Sequence, residues 1–521
     1  MVESLVVWIP GLPALVAASI VVGWFTGRNR EEAGERATAL LATGATVLSL
    51  LLLLVLDAAA LMMENAPGQV SYRPWLESGD FQVMFSFTLD RLSLAMATLV
   101  ATIAVLTLRF SVNYMHREGG FQRFFAVLCL FVAAMLLIVL AGNGVMMFVG
   151  WEVAGLSSYL LIGYAYDRSI ATGNAVRALV TNRFGDAGFI VGIVLTHHWL
   201  LGLEWPQIVA HVQQVDNLHV GLIAGGFMLA ALAKSGQFPF VGWLPRALEG
   251  PTPSSAIFYG SLMVHAGVYL LLRLEPLLVE VPVIMGLLVC LGGVTTFYGF
   301  FSGLAQTDVK SALLFSTQSQ VGMMFLACGM GWFEFAFWHM LAHAAWRAYL
   351  FLNAPAYMHL VHGPVRHVPS WLANNLFLYA AATRRFWVDT LEEQLIIRPT
   401  QALSQDVQTF DDLVIDRMVG HIHGGRNPSS LEEWEAQRQK FHENEGIDID
   451  FAWGRGILGN MLERIASQLH RFEERLLLGS GGDGLLQSLR RLGHILELTD
   501  NLLEQPRYLL LLVVLTFVVI L

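Results

Sequence analysis

Charged residues and cysteines are scarce in this chain. Lysine, arginine, aspartate and glutamate make up only 14% of its 521 residues, whereas hydrophobic residues make up 55%. The three cysteines, Cys129, Cys290 and Cys328, stand singly in apolar runs without a CxxC pair, which argues against disulfide frameworks, zinc fingers, haem attachment and iron–sulfur ligation. The net charge of −10 argues against nucleic acid as a partner. The composition therefore favours a membrane protein that binds no cofactor or metal of its own.

Long apolar runs occupy most of the sequence. They recur near the length of about twenty residues that a helix needs to cross a bilayer. We predict an all-α polytopic membrane protein with about 11–12 transmembrane helices, some of them broken, and cytoplasmic amphipathic helices near the C-terminus. The predicted spans lie near residues 5–26, 38–63, 90–113, 122–142, 143–166, 178–203, 219–241, 251–273, 281–303, 308–330 and 332–360.

Composition also divides the chain into four parts. Residues 1–85 hold N-terminal membrane helices, residues 86–360 a membrane core, residues 361–505 a charged segment with amphipathic periodicity, and residues 506–521 a short apolar anchor. Arginines in the short connections fall mostly on one side of the predicted bundle. The positive-inside rule then predicts an outer N-terminus and a cytoplasmic polar segment.

Ionisable residues within the apolar runs are the candidates for function, because a charge at membrane depth costs several kcal/mol unless it is paired or hydrated. One of them, Lys234, directly precedes the helix-breaking run at residues 235–239, which indicates a sheltered or hydrated pocket. The candidates are Glu152, Arg183, Asp186, Lys234, His265, Lys310, His339, His343 and Arg347.

Glu152 and Lys234 have two interpretations as a buried pair. A lysine whose proton affinity is pulled in opposite directions by burial and by a facing carboxylate can relay protons, but the same pair can also be a static salt bridge. The pair alone leaves both open. The spread of ionisable residues over several predicted spans favours the relay.

His339, His343 and Arg347 follow one another at four-residue spacing on one face of a predicted helix. A metal ion there would lack a carboxylate or thiolate ligand, and Arg347 would repel it, so a metal site is disfavoured. Histidine titrates near neutral pH. The pattern therefore favours proton transfer through imidazoles and water.

Short motifs follow one another in a fixed order between residues 80 and 355. They include Phe-Thr-Leu-Asp-Arg-Leu-Ser at 87–93, Phe-Val-Gly-Trp-Glu at 148–152, Asn-Arg-Phe-Gly-Asp at 182–186, Ala-Lys-Ser-Gly-Gln-Phe-Pro at 233–239, Glu-Gly-Pro-Thr-Pro at 249–253 and Asp-Val-Lys at 308–310. This series resembles the antiporter-like subunits of respiratory complex I, above all the L-type subunit, and their relatives in Mrp antiporters and DAB inorganic-carbon transporters.

The resemblance implies that residues 86–360 form a proton-translocating core. Glu152 and Lys234 then correspond to the carboxylate and the broken-helix lysine of one half-channel, and Arg183 and Asp186 to its modulating pair. Lys310, His339 and His343 match the central hydrophilic axis. Arg347 departs from the pattern, because the family commonly has a lysine there and an arginine essentially never releases its proton.

The second departure is the polar composition after residue 352, where the complex I subunit continues with further spans. This shortened form is most similar to DabB, the membrane subunit of the DAB transporters. The resemblance implies a subunit of a bacterial inner membrane that conducts protons or Na⁺, has no catalytic chemistry of its own, and drives inorganic-carbon uptake with a large zinc-containing partner similar to β-carbonic anhydrases and to DabA.

Two alternatives stand beside that interpretation. Residues 387–399 and 414–416 resemble the tail of the L-type subunit, which implies a proton-pumping subunit of an NADH:quinone oxidoreductase-like complex. The other alternative is a membrane scaffold that has lost transport and only docks a partner.

Overall fold

The computed structural model describes residues 5–27, 31–62, 68–78, 81–200, 202–354 and 368–410. The chain divides into two compact units, Met1–Ile397 and Arg398–Leu521. Of the second unit, a single helix, Arg398–Phe410, is described. The amphipathic helices predicted within residues 457–496 and the anchor predicted at residues 506–521 lie outside the described residues.

Long helices build the first unit, and nine in the described part are long and apolar enough to cross a membrane. The last two helices are of similar length but carry more polar side chains. The structure thus confirms the predicted all-α polytopic membrane architecture. The helices are α1 (Trp8–Phe25), α2 (Glu31–Met62), α3 (Arg91–Tyr114), α4 (Phe121–Leu140), α5 (Gly144–Ile162), α6 (Ser169–Leu200), α7 (Asn217–Lys234), α8 (Thr252–Arg273), α9 (Pro282–Leu304), α10 (Val309–Gly329) and α11 (Phe333–Leu352).

The centre of the bundle is formed by α4 and α8. The apolar window of α8 is fully buried and that of α4 is 78% buried, so these two helices are largely shielded from lipid. The middle of α8 is irregular, because a π-helical turn at Ala256–Ser261 and a 3₁₀ turn at Met263–His265 interrupt it. Irregular backbone at this depth is tolerated because protein surrounds it.

Two helix pairs approach each other at glycines. A Cβ on Gly226 of α7 would lie 2.7 Å from the carbonyl oxygen of Gly188 on α6, and a Cβ on Gly322 of α10 would lie 2.8 Å from that of Gly292 on α9. Both distances are shorter than any side chain permits, so glycine is required for backbones this close. Small residues at such crossings are typical of membrane helices.

An ion pair ties the start of α3 to the end of α8. Arg273 binds the Asp90 carboxylate with two nitrogens, one of them Nη2 at 3.1 Å from Oδ1. The same carboxylate caps α3, because the Ser93 amide donates to Oδ1 at 2.8 Å. Arg273 is nearly buried, with 8% of its side chain exposed.

A β-hairpin between α2 and α3 was not predicted. Its strands, β1 (Gln69–Ser78) and β2 (Phe81–Thr88), pair antiparallel, and the Gly142 amide donates to the Ser86 carbonyl at 2.8 Å. The sequence does contain a signal for it, since Gly79-Asp80 separates two runs rich in aromatic and β-branched residues. The hairpin covers the turn between α4 and α5.

Candidate proton-transfer site

Glu152 on α5 and Asp186 on α6 both contact the Arg183 guanidinium. Arg183 is ion-paired with Glu152, and its Nε lies 3.4 Å from Oδ2 of Asp186. Three-residue spacing places Arg183 and Asp186 side by side on α6. Asp186 is only 3% exposed, whereas 44% of the Arg183 side chain is exposed, so two carboxylates share one permanent cation at the surface of the described bundle.

Lys234 is the last residue of α7 and is 1% exposed. Its Nζ donates to the carbonyl oxygen of Trp151 at 3.0 Å and lies 5.1 Å from the centroid of the Trp151 ring. Gly155, one turn further along α5, leaves room for the amine, because a Cβ there would lie 3.1 Å from Nζ. Neutral groups of α5 therefore hold this buried amine.

Glu152 and Lys234 do not form the direct pair that the sequence suggested. In the described part of the chain no carboxylate lies within ion-pair distance of the lysine, and Glu152 is bound by Arg183 instead. The reason is that the planar, permanently charged guanidinium on α6 faces the carboxylate directly. Lys234 reaches the same turn of α5 through Trp151, so proton exchange with Glu152 needs an intervening group.

Buried polar atoms that lack a hydrogen-bond partner gather around this lysine. Each costs roughly 1–3 kcal/mol if it stays dry, and water usually satisfies such atoms. The space between α5, α6 and α7 thus has the polarity that a hydrated proton path requires. Among the described residues these atoms include Oε1 of Glu152, both carboxylate oxygens of Asp186, Oδ1 of Asn182, Nε1 of Trp151 and Oγ of Ser235.

The predicted helix break directly after Lys234 is present. The chain turns at Gly236, whose φ is +58°, a value that favours glycine. Gln318 of α10 donates to the carbonyl oxygens of Gly236 and Val241, at 2.7 and 3.1 Å, and Thr295 of α9 accepts from the Phe238 amide at 2.9 Å. Side chains of α9 and α10 therefore satisfy the backbone that the break leaves open.

The histidines form a second polar cluster. Nε2 of His265 lies 3.0 Å from Nδ1 of His343, and Arg347 Nε donates to Nε2 of His343 at 3.0 Å. Arg347 also donates to Ser316 Oγ at 2.6 Å, whereas His339 lies 2.9 Å from the amide oxygen of Gln320. The structure thus joins the side chains of His265, His343 and Arg347 in one hydrogen-bonded series and places His339 beside it.

Arg347 fixes the direction of these hydrogen bonds. An arginine is only a donor, so Nε2 of His343 must accept, and the hydrogen of a neutral His343 stands on Nδ1. Nδ1 of His343 then donates to Nε2 of His265. A proton cannot enter His343 at Nε2 while Arg347 occupies it. In the described chain no group of three His, Cys, Asp or Glu side chains is arranged to hold a metal ion.

Lys310 lies apart from both clusters. Its Nζ donates to Thr252 Oγ1 at 2.6 Å, and the hydroxyl of Tyr114 lies 3.0 Å from the same oxygen. The lysine is partly exposed at the first turn of α10. It therefore stands at the end of the bundle where α8 and α10 begin.

Two protein families match this chain. Residues 75–125 match the family described as NADH-ubiquinone oxidoreductase (complex I), chain 5 N-terminus, and residues 141–364 match the family described as NADH:quinone oxidoreductase/Mrp antiporter, TM. The core belongs to the antiporter-like superfamily. All nine predicted pathway residues of this antiporter-like core, from Glu152 to Arg347, lie within the second match.

Curated relatives of the antiporter-like core include plant and algal proteins. Subunit 5 of the chloroplastic NAD(P)H-quinone oxidoreductase of Zygnema circumcarinatum is 36% identical over 383 residues, which cover 71% of this chain and 54% of the relative. The subunit of Citrus sinensis is 37% identical, with coverage of 64% and 46%. The chain thus spans about half the length of these relatives.

Solved structures show the same architecture. A chain of the Mrp complex from Dietzia sp. DQ12-45-1b is 28% identical with a TM-score of 0.58, and the match covers 66% of this chain and 37% of that one. A chain of the archaeal membrane-bound sulfane sulfur reductase is 20% identical with a TM-score of 0.56, covering 69% and 57%. The latter similarity is one of fold alone.

Sequence reasoning missed a third polar cluster, which joins residues of the second family match to residues that follow it in the chain. It is formed by the tail segment, residues 370–397, where this segment contacts α6 and the loop after the break. Thr181 donates to Glu392 at 2.8 Å, Arg177 is ion-paired with Glu393, and Arg246 lies 3.6 Å from Asp389. No motif announces these contacts, because 211 residues separate Thr181 from Glu392.

Protonation of Glu392 should control how firmly the tail segment is held. Burial is the main cause that raises the pKa of Glu392 from 4.5 to about 7; Asp389 raises it further, while Thr181, the Gly242 amide and Arg177 lower it. Because the pKa of Glu392 is higher in the folded chain than in the unfolded one, protonated Glu392 stabilises the packing of the tail segment. This stabilisation is full below pH 4.5 and is lost as the pH rises through about 7.

We therefore expect hydrogen exchange in residues 385–397, corrected for the intrinsic rate, to be faster at pH 8 than at pH 6. Glu392→Gln should remove most of this difference, since the amide stays neutral at both pH values. Equal corrected rates in the wild-type chain at pH 6 and pH 8 would contradict the prediction.

Proposed function

We propose that this chain is the proton-translocating membrane subunit of a multisubunit complex of the NAD(P)H:quinone oxidoreductase type. The observation that supports it most is the buried Lys234, held by neutral groups at a helix break and surrounded by unpaired polar atoms beside Glu152, Arg183 and Asp186. A static salt bridge would pair the amine with a carboxylate. A proton carrier needs an amine free to change its charge.

The proposed transfer uses the shared cation. Arg183 contacts Glu152 and Asp186, so a shift of the guanidinium toward one carboxylate leaves the other free to take up a proton. A protonated carboxyl then gives its proton, through water, to the Lys234 amine, which becomes an ammonium. The ammonium releases it on the far side of the break, toward the polar side chains of α10 and α11.

The hydrogen-bonded series of His265, His343 and Arg347 is the proposed continuation of this route. His265 and His343 are linked, but Arg347 blocks Nε2 of His343, so transfer through His343 requires the Arg347 side chain to move. Coupling to a partner subunit would act through that movement. The conducted ion is proposed to be H⁺, with Na⁺ as the alternative, and the proposed location is a bacterial inner membrane with the polar C-terminal segment in the cytoplasm.

The reported relatives are quinone oxidoreductase subunits, and one solved neighbour belongs to an Mrp complex. They favour the oxidoreductase-like subunit over carbon uptake with a zinc-containing partner similar to DabA, which rests on sequence resemblance alone. Affinity purification in mild detergent distinguishes the two. We expect iron–sulfur subunits to co-purify and the preparation to show quinone-dependent activity. A zinc-containing partner similar to carbonic anhydrases would instead support the DAB interpretation.

Proton flux tests the transport role itself. We expect the purified complex in liposomes containing pyranine to conduct protons, and Glu152→Gln to lower the flux at least about tenfold, because a neutral amide no longer competes with Asp186 for Arg183. The matched control is Glu334→Gln, which breaks an exposed ion pair with Arg91. Wild-type liposomes without flux, with or without partner subunits, would support the scaffold alternative.

A further inference from the structure

The tail segment inserts a carboxyl group among the helices of the proposed pathway. Glu392 is only 5% exposed, and Thr181 of α6 donates to its Oε1 at 2.8 Å. On its other side lies Gly242, in the loop after the break, where a Cβ would collide with the carboxylate. Glu392 thus contacts both chain segments that lead to Asp186 and Lys234.

The charged groups around Glu392 pair with its neighbours and not with it. Arg177 of α6 binds Glu393, and Asp389 lies 3.0 Å from Arg385 and 3.6 Å from Arg246. Tyr298 of α9 is a further titratable group near Glu392. Among the described residues Glu392 makes no ion pair, so its charge is not cancelled by a fixed partner.

Polar side chains of α6 lie between Glu392 and the turn that holds Asp186. Thr181 and Asp186 are both buried on α6, and five residues correspond to roughly 7.5 Å along a helix. Asn182 lies between them, 4% exposed, with its Oδ1 unpaired. A small cavity lined by Arg177, Gly242, Glu392 and five further residues lies at the Glu392 end of this stretch.

We propose that Glu392 is a proton-pathway residue that loads the Asp186 and Lys234 site from the end of the bundle where the tail segment lies. Solvent protonates the carboxylate. The carboxyl then releases its proton through water near Asn182 to the Asp186 carboxylate, which passes it to the Lys234 amine. Each step moves one proton and needs no oxidant or reductant. The proposal rests on the proton-translocating function above and adds a residue outside both matched families.

The test measures proton flux in liposomes, with the complete complex, as a function of the pH on the tail side. In the wild type we expect flux to fall as pH rises through about 7, where Glu392 loses its proton. Glu392→Gln, which can still accept from Thr181, should lower the flux at pH 6 about tenfold and flatten the profile.

Two further variants keep Glu392 and shift its titration in opposite directions. Thr181→Val removes a donor that favours the carboxylate, so the midpoint should move to higher pH. Glu393→Gln leaves Arg177 free to favour the carboxylate, so the midpoint should move to lower pH while the maximal flux stays within about twofold. Both variants test the role of Glu392 even if Glu392→Gln fails to assemble.

Lys234→Ala, measured in parallel, separates the two proposals. If the wild type itself shows no flux, the proton-translocating function is wrong, and if Lys234→Ala conducts like the wild type, Lys234 is not part of the route. If Lys234→Ala is inactive while Glu392→Gln, Thr181→Val and Glu393→Gln all retain the wild-type flux and midpoint, the route through Glu392 alone is overturned.

Discussion

Lys234→Ala should abolish proton flux, with a loss of about 100-fold or more, while the complex still assembles. The size follows from removing a positioned proton donor and acceptor. Assembly should survive because alanine leaves no buried charge behind and because the α6–α7 contact is made by small residues such as Gly185 and Ala233. Flux in liposomes and size-exclusion chromatography of the complex measure the two outcomes.

Lys234→Arg separates proton exchange from charge. The arginine keeps a cation near Trp151 but does not release its proton, so flux should be lost here as well. The matched control is Arg91→Ala, because Arg91 pairs with Glu334 at 2.6 Å on an exposed surface, where such a pair contributes at most about 1 kcal/mol. Retained flux in both Lys234 variants would remove this lysine from the mechanism.

Asp90→Ala should destabilise the folded subunit by about 3–5 kcal/mol, the typical cost of leaving a buried charge unpaired. Arg273 is nearly buried, and after the change its remaining partner within the described chain is the hydroxyl of Tyr269, at 2.9 Å. The start of α3 loses its cap as well, which costs about 1 kcal/mol. Thermal unfolding in detergent measures the loss.

Two milder variants divide this effect into its parts. Ser93→Ala removes the side chain that completes the cap but keeps the ion pair, so it should cost about 1 kcal/mol. Asp90→Asn keeps a good capping residue and loses the charge, and should fall between the other two. If Asp90→Ala unfolds at the same temperature as Ser93→Ala, the ion pair contributes nothing.

The membrane helices were predictable from the sequence. Apolar runs of bilayer length place α8 and α9 at almost the residues where the structure has them, and the capping aspartates Asp90 and Asp308 mark where α3 and α10 begin. The hairpin was missed because it lies between two strongly apolar segments. Its turn signal was nevertheless present at residues 79–80.

The candidate site was predictable in its members but not in its pairings. The cost of a charge at membrane depth singled out Glu152, Arg183, Asp186 and Lys234. That Lys234 binds a backbone carbonyl of Trp151 could not be read from residue types, because every residue carries that group. Glu392 was missed for a different reason, since its burial depends on a contact between distant parts of the chain.

The glycine contacts limit how this protein can move. The backbones of Gly188 and Gly226 are in direct contact, and so are those of Gly292 and Gly322. In each pair the contact restricts sliding of one helix along the other. We therefore expect any conformational change during transport to move α6 together with α7, and α9 together with α10, as rigid pairs. The break at Gly236 contacts both helix pairs, because it directly follows α7 and its carbonyl oxygen accepts from Gln318 of α10.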